Sequence, residues 1–221
     1  MILEVDNIEL YFSNKCLLHG IYLKAETGKT TAILGSNGCG KSSLLQIIFG
    51  TIRPKYKLIR IDNKPLLKLP YKSKLIGLLP QHHFTPDHVT ISKLFKLLNV
   101  DWKDFTTNFE NLSHYKHYTI NKLSGGERRL IEAFLIIKGE HKIILLDEPF
   151  SHIAPLYIEK IKCLIEEEKD KKVIIVTDHL YKHVIDTADY LYILKDGHTK
   201  LIHNLKDLEF FKYVSSGSLE H

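Results

Sequence analysis

The sequence predicts an α/β protein with a mostly parallel sheet, because buried strand-like runs alternate with helix-like runs in its second half. The continuous apolar runs at 30–34, 142–146 and 173–176 are typical of strands covered on both faces. Between the last two, residues 155–169 place apolar side chains at helical spacing behind a proline that suits a first turn. Strand–helix–strand order of this kind favours parallel pairing with helices on both faces of the sheet.

The first half and the middle of the chain differ in character. Further strands are expected at 2–12, 17–25, 58–61 and 75–79. Helical spacing of apolar residues from Thr90 onward and again at 126–138 predicts a helical subdomain inserted at about 84–138. Asp196-Gly197 between two apolar runs predicts a β-hairpin.

Length and composition favour one domain over 1–213, with 214–221 interpreted as a linker and partial tag. The chain has 221 residues, 44% of them hydrophobic, enough for a substantial core. A formal charge of +5 spread along the chain favours an ordinary solvated surface, so no nucleic-acid partner is expected. Three cysteines without a spaced framework indicate a reducing compartment. No apolar stretch is long enough to cross a bilayer, so work at a membrane would need a partner.

The most specific motif is Gly-Ser-Asn-Gly-Cys-Gly-Lys-Ser at 35–42, between a predicted strand and a predicted helix. Glycines let the backbone wrap closely around an anion, and the N–H groups of the loop and helix point at phosphates. Lys41 is expected to reach the β- and γ-phosphates, and the Ser42 hydroxyl to bind Mg²⁺. The pattern resembles the phosphate loop of P-loop NTPases. The predicted nucleotide contacts in this segment are Gly35, Ser36, Asn37, Gly38, Cys39, Gly40, Lys41, Ser42 and Ser43.

Two carboxylates follow an apolar strand in Leu-Leu-Asp147-Glu148-Pro. Acids at the carboxyl end of a buried parallel strand lie at the crevice where α/β proteins bind ligands. Asp147 is therefore expected to hold Mg²⁺, and Glu148 to polarise the attacking water.

A second glycine-rich turn opens a helix at Leu-Ser-Gly-Gly-Glu-Arg-Arg, residues 123–129. Ser124 is a suitable N-cap, and the bare N–H groups and helix dipole suit an anion. One nucleotide rarely needs two γ-phosphate sites, so this segment is predicted to complete a site held by another copy. The residues in question are Ser124, Gly125, Gly126 and Glu127.

With Leu-Ser-Gly-Gly-Glu between a phosphate loop and an Asp-Glu-Pro strand, residues 1–213 resemble the ATP-binding-cassette (ABC) family. The resemblance implies a P-loop NTPase core with an antiparallel β subdomain and a short helical subdomain. It assigns Gln81 to Mg²⁺, water and sensing of the membrane partner, and His179 to the γ-phosphate. It assigns Phe12, ahead of Tyr11, to stacking on adenine.

The resemblance further implies an ATP- and Mg²⁺-dependent subunit on the cytoplasmic face of a membrane. Its catalytic residues would be Lys41, Gln81, Glu148 and His179, and its metal ligands Ser42, Gln81 and Asp147. Two subunits would pack head to tail around ATP, and a transmembrane subunit would dock near 82–90. Details of the motifs look most like the lipopolysaccharide-export and branched-chain-amino-acid importer ATPases.

One departure leaves alternatives open. The family places an aspartate where this chain has Ala154, in the loop that crosses the dimer interface, so coupling between the two sites is in question. A soluble cassette ATPase that acts on nucleic acid or ribosomes is one alternative, and a weakly hydrolysing interaction module is another.

The pair His114 and His117 has helical spacing but no acidic or cysteine partner nearby, so both are interpreted as surface histidines.

Overall fold

The structure is a computed structural model that describes residues 1–13, 15–67, 69–211 and 213. The predicted linker at 214–221 lies outside these residues. The strands are β1 (Ile2–Phe12), β2 (Lys15–Glu26), β3 (Thr30–Leu34), β4 (Tyr56–Ile61), β5 (Lys64–Pro65), β6 (Ile76–Leu79), β7 (Ile143–Asp147), β8 (Val173–Thr177), β9 (Tyr190–Lys195) and β10 (His198–Ile202). The helices are α1 (Lys41–Phe49), α2 (Ile91–Leu97), α3 (Trp102–Asn108), α4 (Gly125–Lys138), α5 (Pro155–Lys169), α6 (Tyr181–Thr187) and α7 (Lys206–Phe210).

The central sheet has six strands in the order β10-β9-β3-β8-β7-β6. All neighbours pair in parallel except β9 and β10, which form the hairpin predicted around Asp196-Gly197. Every residue of β3, β7 and β8 is buried, which explains why these strands are continuously apolar. The predicted α/β class with a mostly parallel sheet is confirmed.

A second sheet is antiparallel and has the order β2-β1-β4-β5. Its long strands β1 and β2 alternate buried and exposed residues because only one face is covered. This sheet and α1 share one hydrophobic cluster with one face of the central sheet, through side chains such as Ile33, Leu145 and Ile175. The antiparallel β subdomain implied by the resemblance is therefore present.

The other face of the central sheet packs against α4 and α5 through alternate strand residues such as Leu34, Leu146 and Val176. The same cluster continues into the middle segment, where Phe95, Phe105 and neighbouring aromatic rings pack together. That segment contains α2, α3 and 3-10 helices at Glu110–His117 and Ile120–Lys122, which precede α4. It lies within the segment at about 84–138 for which the sequence predicts a helical subdomain.

Some elements differ from the prediction. The predicted strand at 142–146 is β7, shifted by one residue, so Asp147 is its last residue. Helices α6 and α7 are absent from the prediction, because each is short and has a single buried apolar residue to reveal a period. Among the residues that the structure describes, no helix is both long and apolar enough to span a bilayer.

Candidate functional site

The phosphate loop connects the buried strand β3 to helix α1. Gly38 and Gly40 have φ angles of 78° and 109°, in the region that favours glycine. A Cβ atom at Gly35 would lie 2.6 Å from the carbonyl oxygen of Leu194 on the neighbouring strand β9. The loop therefore needs glycine both for its dihedral angles and for its close approach to the sheet.

Lys41, the first residue of α1, is buried in this loop with 7% of its surface exposed. Its ammonium group donates to the carbonyl oxygens of Gly35 at 2.7 Å and Ser36 at 3.1 Å. An incoming phosphate would compete with these neutral carbonyls for the charge, and a charged acceptor makes the stronger hydrogen bond.

Cys39 lies partly buried within the loop. Burial raises the pKa of its thiol, and the nearby charge of Lys41 opposes this shift without cancelling it. Loss of water around the thiolate therefore outweighs the nearby charge and the backbone hydrogen bonds that favour it.

A cavity of about 520 Å³ lies above the loop and the start of α1. This volume is within the range of about 300–1,000 Å³ that is typical of ligand pockets. Among the residues that the structure describes, eleven line it: Leu17, Asn37, Gly38, Gly40, Lys41, Ser42, Ser43, Gln81, Glu148, His152 and His179. Most were predicted site residues, whereas Leu17 and His152 were not.

Strand register explains why distant residues meet at this cavity. Leu79 on β6 pairs with Leu146 on β7, so the residues that follow both strands emerge side by side. These residues include Gln81 and Glu148. Asp147 pairs in turn with Thr177 on β8, two residues before His179. The parallel sheet thus delivers the three side chains to one edge.

Asp147 is almost fully buried, with 3% exposed. Burial raises the pKa of its carboxyl group, and hydrogen bonds from Ser42 and Thr177 act in the opposite direction. The hydroxyl of Thr177 donates to Oδ1 of Asp147 at 2.7 Å. Carboxylate, hydroxyl and amide oxygens suit Mg²⁺, so Asp147, Ser42 and Gln81 are a fitting donor set.

Glu148 begins the turn after β7 with a φ angle of 57°, which is uncommon for a residue with a side chain. Its N–H donates to the carbonyl oxygen of Thr177 at 2.7 Å, which holds the turn on the sheet. Its Oε2 lies 3.5 Å from Nδ1 of His179. The two side chains that line the cavity are therefore neighbours.

The loop 149–153 is held next to them by Asp178, which is fully buried. This carboxylate accepts from the N–H of Phe150 at 2.9 Å, from the hydroxyl of Ser151 at 3.1 Å and from the N–H of Leu180 at 3.0 Å. The same Ser151 hydroxyl lies 3.3 Å from Nδ1 of His179. Asp178 thus ties the position of His179 to that of the loop.

Arg129 on α4 reaches under the site and was not predicted to matter. The residue is buried, with 3% of its surface exposed. Its guanidinium group donates to the carbonyl oxygens of Pro80 at 2.6 Å, of Asp147, and of Glu148 at 3.1 Å. Burial lowers the pKa of this group, and four surrounding carboxylates act against the shift. Its arginine-specific fork joins the ends of β6 and β7.

The second glycine-rich segment caps α4. Ser124 and Glu127 form a reciprocal capping box, with the Ser124 N–H donating to Glu127 Oε2 at 2.8 Å. A Cβ atom at Gly126 would lie 2.6 Å from the carbonyl oxygen of His152, so this approach requires glycine. The residues Ser124, Gly125, Gly126 and Glu127 do not line the cavity of their own chain.

The predicted residue Phe12 and the departure at Ala154 do not line the cavity. Phe12 ends β1 with 53% of its surface exposed, and pairs with Lys15 on the strand that also carries the cavity residue Leu17. Ala154 is the exposed N-cap of α5 and makes no side-chain capping bond. Within the described residues, no group of three or more histidine, cysteine or acidic side chains is placed to hold a metal ion.

The sequence is similar to those of known proteins. A sequence model of the family described as ABC transporter matches residues 18–151. The lipopolysaccharide export system ATP-binding protein of Haemophilus influenzae is 27% identical over 212 residues, which cover 89% of this chain and 88% of that protein. An uncharacterized ABC transporter ATP-binding protein of Methanocaldococcus jannaschii is 29% identical over 213 residues, covering 89% and 84%.

Solved structures show the same fold. The ATP binding subunit of an ABC transporter superposes with a TM-score of 0.84 at 21% identity, over 100% of this chain and 97% of that one. An ATP-bound bacterial Atm1-family ABC exporter superposes with a TM-score of 0.82 at 19% identity, over 95% of this chain and 40% of that one.

Proposed function

Because the chain belongs to the ABC transporter family, we propose that it binds ATP in the cavity above α1 and hydrolyses it to drive transport. The observation that carries the proposal is the lining of that cavity. It brings the phosphate loop together with Gln81, Glu148 and His179, which come from three different strand ends.

The chemistry follows from these positions. The loop N–H groups and Lys41 hold the β- and γ-phosphates, and Phe12 stacks on the adenine base. Ser42, Gln81 and Asp147 would hold Mg²⁺, which offsets phosphate charge when it is bound.

The attacking group is water. Glu148 accepts a proton from the water while the water oxygen bonds to the γ-phosphorus. The bond between the γ-phosphorus and the β–γ bridging oxygen breaks, which releases ADP. His179, 3.5 Å from Glu148, holds the γ-phosphate oxygens in line. Phosphoryl transfer needs positioning and charge stabilisation above all, and this set of side chains supplies both.

The proposal includes a second subunit and a membrane partner. Ser124, Gly125, Gly126 and Glu127 open a 14-residue helix yet do not line the cavity of their own chain. We assign them to the γ-phosphate of ATP bound by a second copy packed head to tail. A transmembrane subunit docks near 82–90, which places the chain on the cytoplasmic face of the membrane. We propose no nucleic-acid partner.

The test is Glu148→Gln, which keeps the shape of the side chain and removes its basicity. ATP affinity should stay within about twofold, and hydrolysis should fall by about 10²–10⁴, the usual contribution of a general base. With ATP and Mg²⁺, the variant should also elute as a dimer in gel filtration.

The matched control is Glu159→Gln on the exposed face of α5, which should hydrolyse ATP at the parent rate. Parent turnover by Glu148→Gln would overturn the assignment of Glu148. A parent chain that neither binds nor hydrolyses ATP would overturn the function itself.

A further inference from the structure

The loop that follows Gln81 is fixed to helix α4 by one carboxylate, that of Glu132. Glu132 is fully buried. Its Oε1 accepts from the N–H groups of Phe84 and Thr85, both at 3.1 Å, and from the Thr85 hydroxyl at 2.6 Å. Its Oε2 lies 2.8 Å from Nδ1 of His83, which donates in the tautomer that carries its proton there.

Arg128, one turn earlier on α4, extends this attachment. Its Nε lies 3.2 Å from the Thr85 hydroxyl and 3.5 Å from Glu132 Oε1. Its NH1 donates to Asp87 at 2.8 Å, and its NH2 to the carbonyl oxygen of Thr85. Together, the two α4 side chains hold residues 83–87 by backbone and side-chain contacts.

A buried carboxylate is costly unless its oxygens are satisfied, so this arrangement has a specific requirement. Among the described residues, the four hydrogen-bond donors to Glu132 belong to the loop and depend on its present conformation, whereas Arg128 on α4 adds an ion-pair contact. Any displacement of the loop relative to α4 would leave a buried charge with fewer partners. The loop and the helix should therefore move as one body.

The loop and α4 together reach two different nucleotide sites of the proposed dimer. Gln81, just before the attached loop, lines the cavity of its own chain. Ser124, which caps α4 two turns before Glu132, is assigned to the ATP of the second copy. His83 also lies beside the same segment, with its Nε2 4.0 Å from where a Cβ of Gly125 would be.

We infer that Glu132 is a positioning residue that locks the loop at 83–87 to α4 and so fixes Gln81 relative to the Ser124–Gly126 segment. It touches no nucleotide and acts through the loop. The inference rests on the proposed function, because it matters for turnover only if two copies share two ATP molecules. It predicts that Glu132 affects hydrolysis and leaves binding of ATP to the phosphate loop unchanged.

The experiment compares Glu132→Ala with Glu132→Gln in the full chain. Glutamine keeps an acceptor for the three Oε1 contacts and offers an N–H to His83, whereas alanine removes every contact. The maximal ATPase rate of Glu132→Ala should fall by about tenfold to a hundredfold, the usual effect of misplacing reacting groups by about 1 Å. Glu132→Gln should restore most of this rate, and ATP affinity should change in neither variant.

Amide hydrogen exchange checks the physical cause directly. The N–H groups of Phe84 and Thr85 should exchange faster in Glu132→Ala and remain protected in Glu132→Gln. If Glu132→Ala does not fold, Thr85→Val replaces it, because valine removes the 2.6 Å hydroxyl contact at nearly constant volume. This variant should show the same direction of change in rate with unchanged ATP affinity.

The matched control is Glu168→Ala on α5, another buried carboxylate, which is held by Lys138 and Lys172 away from the loop. It should lose stability and keep the parent ATPase rate. The inference is overturned if Glu132→Ala keeps that rate, if Glu132→Gln is as slow as alanine, or if Glu168→Ala is equally slow.

The proposed function can fail separately. A parent chain that neither binds nor hydrolyses ATP overturns the proposed function and this inference with it. A parent rate that depends on Glu148 but is unchanged by Glu132→Ala overturns the inference alone.

Discussion

Arg129 offers the sharpest test of how the site is held together, because one buried side chain bridges three backbone carbonyls. The change we choose is Arg129→Met. Methionine keeps an unbranched apolar stem of similar length and removes the guanidinium fork. The carbonyl oxygens of Pro80, Asp147 and Glu148 would all lose this donor.

The magnitude follows from the three hydrogen bonds. A net contribution of about 1–1.5 kcal/mol for each bond gives a loss of about 3–4.5 kcal/mol. Removing a charge that burial already disfavours, as its lowered pKa shows, returns part of this loss. We therefore expect the free energy of unfolding to fall by about 2–4 kcal/mol. For a chain of this length the melting temperature should fall by about 5–15 °C.

Urea unfolding followed by circular dichroism measures the stability, and an ATPase assay below the unfolding transition measures the site. Turnover should fall by about tenfold or more, because the backbone of Glu148 is no longer held at its unusual φ angle. Arg129→Lys should be intermediate, since an ammonium group cannot match the planar fork. Arg53→Met, at an exposed position, serves as the control. A stability within about 0.5 kcal/mol of the parent would refute the reasoning, since that is the usual effect of a neutral surface substitution.

Two further predictions concern buried groups of the phosphate site. Asp147→Asn should raise the free energy of unfolding of the nucleotide-free chain by about 1 kcal/mol, because it removes a buried charge and keeps the Thr177 contact. It should also abolish the extra rise in the protein's melting temperature that Mg²⁺ gives in the presence of ATP. A lower free energy of unfolding in urea titration would contradict the argument. Alkylation of Cys39 should be slow at neutral pH and accelerate as the pH rises, because its raised pKa keeps the thiol protonated. Mass spectrometry should find the exposed Cys163 modified first, and Cys39 modified last if ATP is present; preferential labelling of Cys39 at neutral pH would be the contrary result.

The sequence predicts those parts of the fold in which the position of a residue restricts its type. Strands β3, β7 and β8 are buried on both faces, so their apolar runs show directly in the sequence. The phosphate loop is equally visible, because close approach to Leu194 and positive φ angles admit only glycine at defined positions. Short polar helices such as α6 have no comparable signature.

The supporting residues of the site depend on tertiary contacts, which sequence patterns do not specify. Arg129 and Glu132 lie on a helix whose other core positions are apolar. Their partners are 47–49 residues away, or 18 and 19 residues away at the end of β7. A signal was nevertheless present. A charged residue on the buried face of an apolar helical run needs partners, and Glu132 stands directly before a run of five apolar residues, 133–137.

We therefore propose that helix α4 has two separate roles. The order of the residues along the helix explains how one helix performs both. Its first turn, capped by Ser124, is the segment that we propose for the nucleotide of another copy. Its second and third turns carry Arg129 and Glu132, which contact the turn at Glu148 and the loop at 83–87. Burial of these charges carries a desolvation cost, which their hydrogen bonds to the loop and to the turn at Glu148 offset. Because of these contacts, we expect the Ser124 end of α4, the loop at 83–87 and Glu148 to move together. A partner that presses on the loop at 83–87 would consequently shift the Ser124 segment of one site and the Gln81 position of the other together, which is the coupling that a two-site ATPase requires.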